Sequence, residues 1–207
     1  MKAAKFLATA LHSQTWSLVY VSPSELQMCT CIMSEALTRN QGAGTSGIMG
    51  EVARNLVALS GPESVHGIIP EALLPIERAR TLSTSNNRHD GYGRLTVVQD
   101  MHTRKAMMAQ EAEAFVALPG GFGTMEELME IITWNYLGIH DKPIVLFNVD
   151  GYYDDLMKWV VNAVEEEFVD RGNKDIVVEA KTADEVIERI KGYKTATQRR
   201  QLDWQIR

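Results

Sequence analysis

Three stretches of the chain combine residue types able to hold an anion and act on it. The densest is Pro119-Gly120-Gly121-Phe122-Gly123-Thr124-Met125-Glu126-Glu127, with three glycines in four positions. Glycine lets the backbone approach a phosphate closely, and a helix opening behind the loop adds spare N–H groups and the positive end of its dipole. Glu127 then stands at the helix start beside the loop. A carboxylate there can activate water or stabilise a cationic sugar. A plainer reading is equally open: Thr124-x-x-Glu127 is a capping box, whose side chains satisfy the helix's first N–H groups. No Lys-Ser or Lys-Thr follows the last glycine, so a nucleoside triphosphate with magnesium is not expected.

The second stretch is Met101-His102-Thr103-Arg104-Lys105. Cations in the first turns of a helix oppose its dipole, and a nearby anion would offset that placement. A solvated helical face is the alternative. His102 is a conceivable acid or base, although a lone helical histidine usually is neither. Met101, Met107 and Met108 read as core, and Trp134 and Tyr136 as packing. The third stretch, Gly42-Ala43-Gly44-Thr45-Ser46-Gly47-Ile48-Met49-Gly50, formally matches G-x-G-x-x-G. No acid is placed for a ribose 2′-hydroxyl, so a dinucleotide is not implied, and the glycines also suit close helix–sheet packing.

These residues need a frame. Residues 3–14 read as a helix, 17–20 as a short buried strand, and about 50–59 as a helix. Residues 65–69 form a strand stopped by Pro70, and 79–93 a polar loop. A strand at 95–98 leads to Asp100, which caps a helix to about Glu113. The strand 114–118 runs into the glycine loop and a helix from Thr124 to about Leu137. A strand at 143–147, a helix at 154–168, a strand at 176–178 and a helix at 182–191 complete the pattern. Short apolar strands alternating with helices predict an α/β, doubly wound parallel sheet in one domain over residues 1–191. Loops at the carboxyl ends of such strands line the ligand crevice. Residues 21–41 carry no clean period and read as an irregular insertion. Residues 192–207 read as a polar, solvated tail.

The Arg104-Lys105 pair, followed fifteen residues after Arg104 by the complete Pro-Gly-Gly-x-Gly-Thr-x-x-Glu motif, resembles the Lonely Guy family of cytokinin riboside 5′-monophosphate phosphoribohydrolases, over roughly residues 42–190. The resemblance implies a Rossmann-like homodimer that hydrolyses N6-substituted adenosine 5′-monophosphates to free base and ribose 5-phosphate, with no metal or other cofactor. It makes Arg104 and Glu127 the catalytic pair. It makes Glu77, Lys105, Gly120, Gly121, Phe122, Gly123, Thr124, Met125, Glu126 and Thr133 substrate-binding positions. The first glycine loop adds Gly44, Thr45 and Gly47. Proteins with this motif have often been labelled lysine decarboxylases, but no pyridoxal phosphate site is recognisable. Two departures stand out. The family's first strand is absent, and Val21 to Gln41 separate Tyr20 from Gly42, where the family runs directly into glycines. The expectation is an altered product lacking a central strand, impaired in folding and turnover. A nucleotide-monophosphate-binding protein without catalysis is the alternative.

Composition bounds the partners. The 207 residues are 45% hydrophobic and 23% charged, with a formal net charge of -6. An acidic chain is a poor match for nucleic acid, which demands many cationic contacts, whereas one small anion needs few. No apolar run approaches a membrane span, and the start reads as an amphipathic helix rather than a signal peptide. Two cysteines, Cys29 and Cys31, are too few for a disulfide framework or a zinc site and fit a cytoplasmic protein.

Overall fold

Seven short runs rich in apolar and β-branched residues form one parallel sheet. The computed structural model describes residues 2–19, 30–33, 47–74, 93–200 and 202–204. The strands are β1 (Leu18–Val19), β2 (Thr30–Met33), β3 (Val65–Pro70), β4 (Arg94–Val98), β5 (Ala114–Ala117), β6 (Ile144–Phe147) and β7 (Val177–Ala180). Their order is β4-β3-β1-β2-β5-β6-β7, and every pairing is parallel. The helices are α1 (Lys2–Ser13), α2 (Gly47–Ser60), α3 (Met101–Glu111), α4 (Phe122–Tyr136), α5 (Asp154–Glu165) and α6 (Ala183–Lys191). This is the expected single-domain, Rossmann-like α/β architecture.

Alternation along the central strands divides the core in two. On β5 and β6, Ala114, Val116, Val145 and Phe147 face α1, α2 and α6. Phe115, Ala117, Ile144 and Leu146 face α3, α4 and α5. Both faces of a parallel sheet are covered, so successive residues are all buried while pointing opposite ways. Helix α1 buries Ala4, Leu7, Ala8 and Leu11, the one-sided spacing of an amphipathic helix. Among the described residues, no helix is long and apolar enough to cross a membrane.

The expected loss of a central strand is corrected. Thr30–Met33, inside the stretch read as irregular, forms β2 between β1 and β5. Leu18 pairs with Thr30 on one side, and Thr30 to Met33 pair with Ala114 to Ala117 on the other. Four residues suffice for a strand whose hydrogen bonds are completed by two neighbours, yet they are too few to show a period in the sequence. The ladder is therefore continuous where a gap was expected. From β2 the chain steps outward to β3 and β4, then returns to β5 beside β2. The carboxyl end of β5 thus lies at the switch point of the strand order, where open α/β sheets form their crevice.

The tail is largely exposed, as expected, but it is docked by hydrogen bonds. The backbone N–H of Arg200 donates to the Tyr136 carbonyl at 2.8 Å and that of Thr197 to Gly172 at 3.2 Å. Arg199 Nε donates to the Asn135 carbonyl at 2.7 Å, and Trp204 Nε1 to that of Leu137 at 2.9 Å. Cations and N–H donors collect where the last carbonyls of a helix lack intrahelical partners, which explains the docking. The candidates Gly44, Thr45 and Glu77 lie outside the described residues, as does the polar loop but for Gly93.

Two imidazoles, the buried His66 and the half-buried His140, are held neutral. His66 Nδ1 lies 3.1 Å from Arg94 Nη2, which can only donate, so Nε2 carries the proton toward Thr96 Oγ1 at 2.6 Å. His140 Nδ1 accepts from the Lys142 backbone N–H at 3.2 Å, leaving Nε2–H for the Ile131 carbonyl at 3.0 Å. Burial, helped by Arg94, pushes His66 down to about 3. Burial likewise pushes His140 down to about 4.

Two outcomes are expected. Deleting residues 21–41 should remove the strand between β1 and β5, lowering the melting temperature by about 10 °C or more at about 2–4 °C per kcal/mol; circular dichroism melting checks this. Below about pH 6.5 the unfolded chain protonates its histidines while His66 and His140 stay neutral in the fold. Stability is therefore fully present above pH 6.5 and falls as the pH drops towards 4. Denaturant titration at pH 7 and pH 5 should show a loss of about 3–4 kcal/mol, and His66→Gln should roughly halve that dependence, leaving the share of His140.

Candidate active site

The loop from β5 to α4 opens the site. Gly121 is the N-cap of α4, with no side-chain cap bond, and the helix begins at Phe122. The capping-box register is thus not adopted: Thr124 is the third helical residue instead of the cap. A helix start without a side-chain cap leaves first-turn N–H groups for something outside the helix. Gly120 must be glycine because a Cβ there would lie 2.0 Å from Thr124 Oγ1. Thr124 is fully buried, so it cannot yield. Phe122 is 95% exposed, and Gly121 is also exposed.

Helix α3 brings the cations. Asp100 caps it, accepting from the Thr103 backbone N–H at 2.8 Å and from its hydroxyl at 2.9 Å. Those hydrogen bonds from Thr103 hold the Asp100 carboxyl below its ordinary value. This fixes the first turn, and Arg104 projects towards the sheet with its side chain only 11% exposed. Arg104 Nε donates to the Ile68 carbonyl at 3.2 Å, and Nη1 meets Glu127 Oε1 at 3.0 Å. Glu127 is itself 2% exposed. One guanidinium therefore ties the end of β3 to the first turns of α4. A carboxylate fixed in place beside a cation is able to face a developing positive charge.

Lys105 lies on the same side. Its Nζ is 2.6 Å from Glu126 Oε1 and 2.9 Å from Glu130 Oε2. Desolvation pulls its pKa down, but hydrogen bonds and charge from the two glutamates outweigh it and hold it above the ordinary value. The solvated-face alternative for Arg104 and Lys105 thus does not describe them. A small cleft beside the pair is lined by Lys105, Met108, Phe115, Glu127, Glu130 and Trp134, among others.

Arg104, Lys105, Gly120 to Thr124, Glu126 and Glu127 are thus gathered at the end of β5. Met125 packs into the core instead. Thr133 is exposed and donates to the Met129 carbonyl at 2.7 Å. Gly47 opens α2. His102 is exposed on α3. Sequence reasoning missed the Ile68 carbonyl and the two tyrosines that follow β6. Tyr152 donates its hydroxyl to the Gly120 carbonyl, and Tyr153 its own to Leu118 at 2.5 Å. The available signal was position, since these residues follow the strand next to β5.

The pattern of the family described as "Possible lysine decarboxylase" matches residues 49–190. A "Probable cytokinin riboside 5′-monophosphate phosphoribohydrolase" of Oryza sativa subsp. japonica is 42% identical over 168 residues, 81% of this chain and 70% of that protein. A cytokinin riboside 5′-monophosphate phosphoribohydrolase of Arabidopsis thaliana is 38% identical over 181 residues, 87% of this chain and 80% of that protein. The chain belongs to the Lonely Guy family. A "Bifunctional cytokinin biosynthesis protein" of Fusarium pseudograminearum (strain CS3096) is 40% identical over 211 residues, 99% of this chain, which spans only 39% of that protein.

Lonely Guy membership and the decarboxylase wording meet at Lys105. A lysine that forms Schiff bases needs its proton held loosely. Lys105, with Glu126 and Glu130 against it, is held the other way. The buried pair can be tested without any substrate. Arg104→Ala should cost about 3–5 kcal/mol, because it strips the cation from a buried carboxylate. Adding Glu127→Gln should restore much of that loss. Denaturant titration of the double-mutant cycle checks it; strictly additive costs would mean the two are not coupled.

Proposed function

We propose that this protein hydrolyses the N-glycosidic bond of N6-substituted adenosine 5′-monophosphates, yielding the free base and ribose 5-phosphate. The observation that carries the reading is the buried Arg104–Glu127 pair, 3.0 Å apart, at the head of the helix behind the glycine loop. The relatives named as cytokinin riboside 5′-monophosphate phosphoribohydrolases support the substrate class.

In this reading the 5′-phosphate rests on the N–H groups of the loop and of the first turn of α4, as anions do at helix starts. Gly120 keeps the backbone free of side chain where the phosphate approaches. The bond between the ribose C1′ and the base nitrogen breaks, and its electron pair leaves with the base. Glu127 stabilises the oxocarbenium character at C1′ or orients the water that adds there. Water supplies the hydroxyl of ribose 5-phosphate, and its remaining proton balances the departing base. Arg104 fixes the carboxylate and contacts the ligand. We further propose a homodimer working in the cytoplasm. The dimer rests on the family resemblance, and the compartment on the two cysteines in 207 residues.

Incubation with N6-isopentenyladenosine 5′-monophosphate should release free base on chromatography. The matching riboside should react with a far lower kcat/KM, because it offers the loop no phosphate. Glu127→Gln should lower kcat roughly a hundredfold or more, the scale of general acid–base contributions. Binding of the monophosphate without release of base would make the protein a nucleotide-binding relative, not an enzyme.

A further inference from the structure

A loop that presents N–H groups to an anion must also turn its carbonyl oxygens elsewhere, since a carbonyl facing a phosphate repels it. Between β5 and α4 those carbonyls include Leu118 and Gly120, and each accepts a phenolic hydroxyl. Tyr153 donates to Leu118 at 2.5 Å and Tyr152 to Gly120. The donors are consecutive residues in the connection that follows β6.

That connection is itself held firmly. The Tyr153 backbone N–H donates to Asn148 Oδ1 at 2.6 Å. Asn148 Nδ2 donates to Asp154 Oδ1 at 2.8 Å and to Glu179 Oε1 at 3.1 Å. Asp150 and Gly151 both adopt positive φ, 53° and 77°, and set the tight turn before the tyrosines. A non-glycine residue in that region costs of order 1 kcal/mol and persists where its surroundings hold it. Tyr153 is 2% exposed, and burial raises its pKa, so its hydroxyl remains a donor. The Tyr152 ring stands edge-on to it, with centroids 5.0 Å apart, and is itself half exposed at the mouth of the loop.

We propose that Tyr152 is a positioning residue for the phosphate site: its hydroxyl holds the Gly120 carbonyl away from the ligand and keeps the loop N–H groups converged on the phosphate. This rests on the reading of the glycine loop given under the proposed function. Tyr153 anchors the strand end below, and Tyr152 sets the part that meets the ligand. Tyr152→Phe removes one oxygen and leaves the ring in place.

The test measures binding by calorimetry, with ribose 5-phosphate, AMP and adenosine as probes, for wild type and Tyr152→Phe. Both phosphate-bearing probes should weaken about fivefold to tenfold, the scale of one net hydrogen bond. Adenosine affinity should not change, and the melting temperature should move by no more than about 2 °C. In turnover, KM for the monophosphate should rise while kcat changes little. Unchanged binding of both phosphates by Tyr152→Phe would overturn the positioning role alone. Equal weakening of adenosine, with a large fall in melting temperature, would also overturn it, since the hydroxyl would then be holding the fold. A wild-type protein that binds neither phosphate would overturn the phosphate site and this inference together.

Discussion

Glu127 has almost no access to solvent, and an ionised carboxylate in that position needs a cation and hydrogen bonds to remain there. Arg104 supplies both, and the demand spreads outward from it. The guanidinium must come from a neighbouring helix, so α3 has to start where Asp100 caps it. It must also be oriented, and the Ile68 carbonyl at the end of β3 does that. The pair therefore ties β3, α3 and α4 together across the switch point of the sheet. Lys105, between Glu126 and Glu130, repeats the tie one residue along. Two bridges from one helix to the next leave α4 little freedom to slide.

The phosphate loop obeys a second constraint, which is steric. Thr124 is buried so close to Gly120 that no side chain fits there. The same packing shapes the backbone that would meet a phosphate. Glycine thus serves here less for flexibility than for the room its missing Cβ leaves. Phe122, pointing into solvent from the same loop, makes the contrast clear. The loop tolerates a large side chain where the chain faces outward and none where it faces Thr124.

Much of this was legible in the amino-acid sequence because it is periodic or local. The strand–helix alternation appears as apolar runs, Asp100 as a cap, and the glycine loop as a density of one residue type. The pairing of Arg104 with Glu127 came from the family resemblance and not from spacing. Other features are tertiary and leave no local trace. Strand β2 has four residues between undistinguished neighbours, and only β1 and β5 on either side make it a strand. The start of α4 was placed two residues late because Thr124 resembles a cap, while the true N-cap, Gly121, has no side chain to advertise it. Tyr152 and Tyr153 act through hydroxyls on carbonyls more than thirty residues away. The docking of the tail left no trace because its cations are ordinary surface residues until carbonyls at a helix end are set before them.

That tail gives the folding of the protein an order in time. Asn135, Tyr136 and Leu137 end the helix that carries Glu127, and further donors to their carbonyls lie on Arg199, Arg200 and Trp204. The separation is 64 residues for the first pair and 67 for the last. During synthesis at about 5–20 residues per second, the helix emerges roughly 3–13 s before these tail donors exist. For that interval the far end rests on nearer donors, the N–H groups of Gly138 and Ile139 on the Asn135 and Trp134 carbonyls, while the bridges to α3 can already form. The acid end of the helix is thus secured by residues made before it, and the opposite end is completed by residues made long after.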